Sequence, residues 1–410
     1  MKVNITRYIE SFDKLLACGG YQENRGLTRL ALTDEDKAAR DMLVAWMEDA
    51  NLTVKIDDMG NIYGIREGKD NQLPPIVIGS HLDTVQNGGK FDGIIGVLAG
   101  LEIIRSLNDM DISTLCPIVM CSWTNEEGTR FLPGMMGSGV IVGTFNKEEC
   151  YSQKAVGSNI TFEGELKRIG YCGEEENRIN NMKAYLELHI EQGPILEEEG
   201  LSLGIVQGVK SMAWNEIVIK GEANHAGPLP MSMRKDALLA AAQIVTKVKE
   251  MIESYNGNTT VTFGKFEVEP NIPSIIPEKV TFTQDIRSED SKIVEHGLEM
   301  VYEIVKNTCA KYKVDYEIKR IGHMEAVIFD DKIKHIIEES VIERGDKFNY
   351  LFSGAGHDAF QISNLYPVGM IFIKTVGGKS HCPEEDAHFA DIEKGLNVLL
   401  DTVLKLSKEE

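Results

Sequence analysis

No apolar run in this 410-residue sequence approaches the ~18 residues that a membrane-crossing helix needs. A cleavable leader pattern is missing too. The opening stretch MKVNITRYIESFDKLLA mixes acids into its apolar positions and carries no small-residue cleavage site. It is expected to form an amphipathic first helix, with the cytoplasm as the compartment. Cysteine is sparse and unpatterned: Cys18, Cys116, Cys121, Cys150, Cys172, Cys309 and Cys382, an odd number with no CxxC. That argues against a disulfide framework or a structural zinc site, and for a reducing compartment. Basic charge is in deficit, with 43 Lys and Arg against 64 Asp and Glu and a net charge of −21. Neither nucleic acid nor an anionic membrane surface is an expected partner. The acidic clusters Glu174–Glu176 and Glu197–Glu199 are too short for an interaction tail. Internal repeats and low-complexity linkers are also lacking.

What is present fits a soluble globular protein: 42% hydrophobic and 26% charged residues. The length exceeds one ordinary core and implies two domains. Helical patterns at the N-terminus, at Thr33–Ala50 (Thr33 as cap, Glu35 nearby) and at Gly93–Leu107 alternate with strand patterns. The strands read at VKID, Asn61–Ile65, PPIVIGS, PIVMCSW, AYLELHI and VGMIFIK. Several are continuous apolar runs, as strands buried on both faces require. The alternation predicts an α/β layered sheet. Between about 212 and 325 the texture changes to strand, helix, two strands, helix (Ser291–Tyr312), strand. That β-α-β-β-α-β order is the split βαβ arrangement. The expected organisation is a discontinuous α/β catalytic domain, residues 1–211 and 326–410, interrupted by an α+β ferredoxin-like domain at 212–325.

Ligand-type side chains follow four of the buried-type strands. PPIVIGS runs into His81 and Asp83, PIVMCSW into Glu126 and Glu127, and AYLEL into His189, Glu191 and Gln192. VGMIFIK leads through a glycine turn to His381, and KFDG adds Asp92 just before a helix. In α/β sheets ligands bind outside the carboxyl ends of the strands. A glutamate pair alone is most often a solvated loop, and a lone histidine is most often structural. Three histidines and several acids delivered to one end of a sheet call for another explanation. His, Asp and Glu without cysteine suit a zinc-like or manganese-like site. Two metals ~3.5–4 Å apart require a bridging carboxylate, and Asp92, short and next to Gly93, is the natural one. Of the adjacent glutamates, one can bind metal while the other acts as general base. The backbone must turn there, and Gly128 supplies a candidate turn.

Taken in order, GSHLDTVQNGGKFDGIIGVLAGLE, TNEEGTRF, LHIEQGPILE, NHAGPLPMSMRKDA, DIRS, SGAGHDA and GGKSHCPEE resemble the M20 metallopeptidase-like amidohydrolases. Within them, the hydantoinase/carbamoylase branch fits best, because His81 and Asp92 are only 11 positions apart. That branch holds N-carbamoyl-L-amino acid hydrolases, allantoate amidohydrolases and β-ureidopropionases. The resemblance implies two divalent metal ions per subunit, zinc first, with manganese, cobalt or nickel as alternatives. It implies that His81, Asp92, Glu127, His189 and His381 bind them, with Glu126 as general base and Asp83 orienting His81. Gln192 would contact the ureido or amide group, Arg287 would grip the substrate carboxylate, and Gly354, Ala355 and Gly356 would line the pocket. His225 would reach the partner subunit's site in a homodimer, where the inserted domain serves as lid and dimerisation domain. Where the branch has an asparagine in an NVIP-like segment, this chain reads PNIPSIIPEKV, with Ser274 at that position and Asn271 three residues earlier.

The activity so implied is hydrolysis of the carbamoyl group of an N-carbamoyl-L-amino acid, releasing amino acid, ammonia and carbon dioxide. Allantoate amidohydrolysis is the first alternative, an M20 dipeptidase or aminoacylase the second, and a metal-binding protein with a decayed enzyme site the third. His357 and Asp358 are left without a role. His296, His323, His335 and His388 read as background.

Overall fold

The computed structural model describes residues 1–255 and 258–408. It divides into two compact units, Met1–Gln207 with Phe329 onward, and Gly208–Ile328. The larger unit opens with the amphipathic helix Ile5–Leu16, capped by the Asn4 side chain. The next helix, Asp34–Asp49, starts where Thr33 accepts the N–H of Asp36. The Asp36 side chain in turn accepts the N–H of Leu32, the residue before the cap, at 2.8 Å. Six strands follow in chain order: β1 (Thr53–Ile56), β2 (Ile62–Arg66), β3 (Ile76–His81), β4 (Ile118–Trp123), β5 (Ala184–Ile190) and β6 (Leu203–Val209).

The smaller unit carries β7 (Ser211–Lys220), β8 (Asn224–His225), β9 (Thr260–Thr262), β10 (Phe266–Glu269), β11 (Ile275–Ile276), β12 (Lys279–Ser288), β13 (Asp315–Met324) and β14 (Val327–Ile328). Its main sheet has the order β10-β12-β7-β13, with β9 also on β12, and every pairing is antiparallel. Two helices, Ala237–Glu253 and Ser291–Tyr312, bury one stripe each against it, through residues such as Ile244, Val248, Val301 and Val305. This is the ferredoxin-like arrangement expected from the element order. A separate ribbon pairs β8 with β11.

Back in the larger unit, β15 (Phe348–Ser353) and β16 (Val368–Ile373) complete a mixed sheet in the order β1-β2-β4-β3-β5-β16-β6, with β15 on β6. The pairs β3–β4, β3–β5 and β5–β16 are parallel, so these four strands end on the same edge. Every residue of the four is buried. That is the composition that parallel strands covered on both faces require. The helices Ile94–Asp109 and Phe389–Leu406 pack on this centre. A Cβ on Gly96 would lie 2.7 Å from the Leu188 carbonyl oxygen and 2.7 Å from Ser80 Cβ. The helix therefore sits close enough to the sheet to hold Asp92, which precedes its N-cap Gly93, over the strand ends. The strands β6 and β15 and the C-terminal helix were not anticipated from the sequence.

Candidate metal centre

His81 is the last residue of β3, and His189 is the last but one of β5. Glu126 and Glu127 follow β4 within a turn, between Asn125 at φ 58° and Gly128 at φ 65°. Asp92 stands before Gly93, whose φ of 69° starts the helix. His381, at φ 56°, comes from the loop after β16. These elements bring six side chains together. Asp92 Oδ1 lies 3.1 Å from His189 Nε2 and 3.5 Å from His81 Nε2. Asp92 Oδ2 lies 3.1 Å from His381 Nε2, which is in turn 3.4 Å from Glu127 Oε2. Glu126 Oε2 is 3.6 Å from His81 Nε2. These six side chains give two donor sets, His81–Asp92–His189 and Asp92–Glu127–His381, and Asp92 belongs to both; a third group, Glu187–His189–His357, shares His189 alone with them.

The hydrogen bonds around the histidines decide which nitrogen faces the centre. His81 Nδ1 lies 2.9 Å from the Asp83 backbone oxygen, and His189 Nδ1 lies 2.9 Å from that of Ile190. A carbonyl oxygen only accepts, so each Nδ1 carries a hydrogen and each Nε2 is the nitrogen turned to Asp92, where a proton or a cation can bind. Lone pairs face carboxylate oxygens at hydrogen-bond range, which is stable only with a proton or a cation between them. Glu127 Oε1 is buried without a hydrogen-bond partner. Burial pushes Glu126 well above the usual carboxylate range, and burial with the nearby Asp92 charge lifts Glu127 to about 8. Asp92 is also buried, but its bonds to His189, His381 and His81 hold it well below that range. Its bond to Asp92 takes His381 to about 9. The donor set, all imidazole and carboxylate, fits divalent metal ions, which would take the place of the protons between these groups.

The surrounding groups fix this geometry. The Asp83 carboxylate is 4.0 Å from His81 Nδ1, and its two oxygens accept the backbone N–H groups of Glu126 and Glu127 at 3.2 Å each. Its backbone oxygen, not its side chain, is the bonding partner of His81. Gln192 Nε2 donates to Asp92 Oδ2 at 2.8 Å, and Gln192 Oε1 is buried without a partner. Gly354, Ala355 and Gly356 form the turn after β15, where Ser353 Oγ bonds both the N–H and the carbonyl of Ala355. His357 packs its ring on His189 at 4.5 Å between centroids and lies 2.8 Å from Ser353 Oγ through Nε2. Burial, then the neighbouring His189, lowers His357 well below the usual imidazole range, so its ring is neutral. Asp358 accepts from Ser138 Oγ, and Glu187 accepts from Ser80 Oγ and Tyr185. Glu385 and Ser380, next to His381, also reach this cluster.

Sequence reasoning left His357 and Asp358 open and passed over Glu187, Ser380 and Glu385. Glu187 is hidden inside β5, and the others stand at a helix start or in a loop, where no spacing marks them.

The remaining predicted residues lie in the smaller unit. His225 pairs with Ile275 across the β8–β11 ribbon, and the next N–H, of Ala226, donates to the Ser274 carbonyl at 2.9 Å. His225 and Ser274 are thus neighbours. Arg287, on β12, bonds Asp285 at 2.8 Å and faces the Trp214 ring at 6.0 Å.

Comparison with known proteins identifies the family. The model of Peptidase family M20/M25/M40 matches residues 77–405. An N-carbamoyl-L-amino-acid amidohydrolase of Rhizobium meliloti is 39% identical over 93% of this chain and 92% of its own length. An allantoate amidohydrolase of Bacillus subtilis is 32% identical over 99% of this chain and 98% of its own. A crystal structure of a hydantoinase/carbamoylase family amidase from Burkholderia multivorans superposes with a TM-score of 0.95, at 40% identity, covering 100% of this chain and 99% of that one. The chain therefore belongs to peptidase family M20/M25/M40 and is an amidohydrolase of its hydantoinase/carbamoylase branch.

Proposed function

We propose that the protein hydrolyses the carbamoyl group of an N-carbamoyl-L-amino acid, releasing the amino acid, ammonia and carbon dioxide. The observation that carries this reading is the sharing of Asp92 between two donor sets, with Glu126 buried beside one of them and left out of both. His81, Asp92 and His189 would hold one divalent ion, and Asp92, Glu127 and His381 a second. Zinc is the first choice, and manganese, cobalt or nickel suit the same donors. When bound, such ions polarise a carbonyl oxygen and lower the pKa of water.

The chain's own residues do the rest. Glu126 takes a proton from the attacking water at its carboxylate and delivers it to the leaving nitrogen. Its low exposure keeps bulk water from competing for that proton. Asp83 fixes the turn that carries Glu126 and Glu127. Gln192 presents an unpartnered amide oxygen able to accept from a ureido N–H. Arg287, with Ser274, is the proposed anchor of the substrate carboxylate, which a guanidinium binds in bidentate fashion. His225 is the proposed stabiliser of the developing oxyanion, acting in a homodimer, and Gly354–Gly356 are the proposed pocket lining. All seven cysteines are free, which supports a reducing compartment such as the cytoplasm.

Allantoate is the second reading, favoured by the Bacillus subtilis relative. Ammonia release from a panel of N-carbamoyl-L-amino acids, N-carbamoyl-β-alanine, allantoate and dipeptides separates the readings. Turnover of an N-carbamoyl-L-amino acid supports the first. Turnover of allantoate alone selects the second. Dipeptide cleavage without ammonia rejects both.

A further inference from the structure

Glu385 is buried, at 2% exposure, four residues after His381. One of its oxygens, Oε1, accepts two consecutive backbone N–H groups, Phe91 at 2.9 Å and Asp92 at 3.1 Å. The other, Oε2, accepts the hydroxyl of Ser380 at 2.8 Å. Ser380 Oγ is also 3.4 Å from Asp92 Oδ2 and 3.1 Å from Gln192 Nε2, the donor that bonds Asp92 Oδ2. Ser380 has one proton to give, and the shorter contact directs it to Glu385. Its lone pairs then face the Gln192 amide. Glu385 thus grips Asp92 twice, through the backbone and through the Ser380–Gln192 pair around Oδ2.

The space for this carboxylate is built into the chain. A Cβ on Gly89 would lie 1.9 Å from Glu385 Cδ and 2.0 Å from Oε1. Its φ is not in the left-handed region, so glycine is needed here for room and not for backbone freedom. The residue before the Phe91–Asp92 corner but one has no side chain, and a buried carboxylate fills the gap.

We propose that Glu385 is a positioning residue that fixes the Asp92 carboxylate between the two donor sets, and that Gly89 is small in order to admit it. The proposal rests on the reading of Asp92 as the shared metal ligand. Partners that orient a ligating side chain typically matter by on the order of 10–100-fold in metal affinity or activity.

The test uses the full-length protein, stripped of metal and titrated with Co²⁺ while its visible absorption is followed. The kcat, the KM and the melting temperature of the metal-free protein are measured alongside. Glu385→Ala is expected to weaken one of two Co²⁺ equivalents by on the order of 10–100-fold and to lower kcat with KM little changed, while the metal-free melting temperature falls because two buried N–H groups lose their acceptor. Glu385→Gln, whose amide oxygen can take both N–H groups and whose NH₂ can face Ser380, is expected to restore binding close to that of the unaltered protein. Gly89→Ala, with Glu385 in place, is expected to reproduce Glu385→Ala, and the double variant to be no weaker than either single one. Should Glu385→Ala not fold, Gly89→Ala and Glu385→Gln carry the test. Normal affinity for both equivalents and normal kcat in Glu385→Ala or Gly89→Ala would overturn the proposal. Asp92→Asn is the control. If it keeps both equivalents tightly, the shared-ligand reading itself fails. If it loses metal while Glu385→Ala does not, only the role of Glu385 falls.

Discussion

Asp83 Oδ2 accepts the backbone N–H of Glu127 at 3.2 Å, while its Oδ1 takes that of Glu126 at the same distance. One carboxylate therefore fixes the peptide geometry of both acids, and its own backbone oxygen fixes the tautomer of His81. An asparagine would set an NH₂ against one of those N–H groups, donor against donor. Asp83→Asn is expected to cost about 1.5–3 kcal/mol in stability, as a lost buried charged hydrogen bond does. Metal affinity and kcat should fall together. Urea unfolding and metal titration of the variant check this, and an unchanged kcat would contradict it.

Gly93 carries a φ of 69°, and a Cβ there would lie 2.4 Å from His81 Cε1. Gly93→Ala therefore meets two penalties. The left-handed backbone costs an L-residue roughly 1–2 kcal/mol, and the methyl displaces a ring that the His81–Asp92–His189 set needs. We expect loss of one metal equivalent with the fold retained, read by metal analysis and circular dichroism.

Arg40 and Asp36 form a fully buried ion pair at 2.8 Å. Arg40 also donates to the Gly60 carbonyl and to Thr124 Oγ1, two residues before Glu126. Arg40→Met leaves Asp36 charged and unpaired, which costs about 3–5 kcal/mol when such a pair is broken. Thermal melting should show this as a lowered transition temperature even in metal-loaded protein. A change within error would mean that the pair is not held as described.

Metal-free protein leaves Asp92, Glu126 and Glu127 packed together with only the histidines to offset their charge. Ions that bind only the folded chain stabilise it by about 2.7 kcal/mol at 100 times their Kd. Chelation should therefore lower the melting temperature as well as abolish activity, and added Mn²⁺ or Zn²⁺ should restore both. Full activity after exhaustive chelation would contradict the metal reading.

Much of the centre was legible because of how β3, β4, β5 and β16 are built. Strands buried on both faces appear as unbroken apolar runs, so the polar residues just beyond them stand out. Ser291–Tyr312 was legible to the residue, because its apolar stripe repeats over six turns between Asp290 as cap and Lys313 at φ 57°. By contrast, β6 contains Gly204 and Gly208, and β15 reads FNYLFS, so neither gives a run or a clean alternation. Thr33 was legible as a cap because its hydroxyl stands directly before a first turn of three acids, Asp34, Glu35 and Asp36. Glu385 escaped notice because it sits in PEED, which looks like a solvated acidic loop. Its role is with backbone N–H groups, which every residue has and no sequence pattern marks.

The most direct test is Glu126→Gln, compared with the unaltered protein for bound metal and for ammonia release from its preferred ureido acid. Glu126 belongs to neither donor set, so the variant should keep both metal equivalents. Its kcat should fall by on the order of 10²–10⁴, the range that general acid–base groups contribute. Retained turnover, or turnover lost only because metal is lost, would contradict the account.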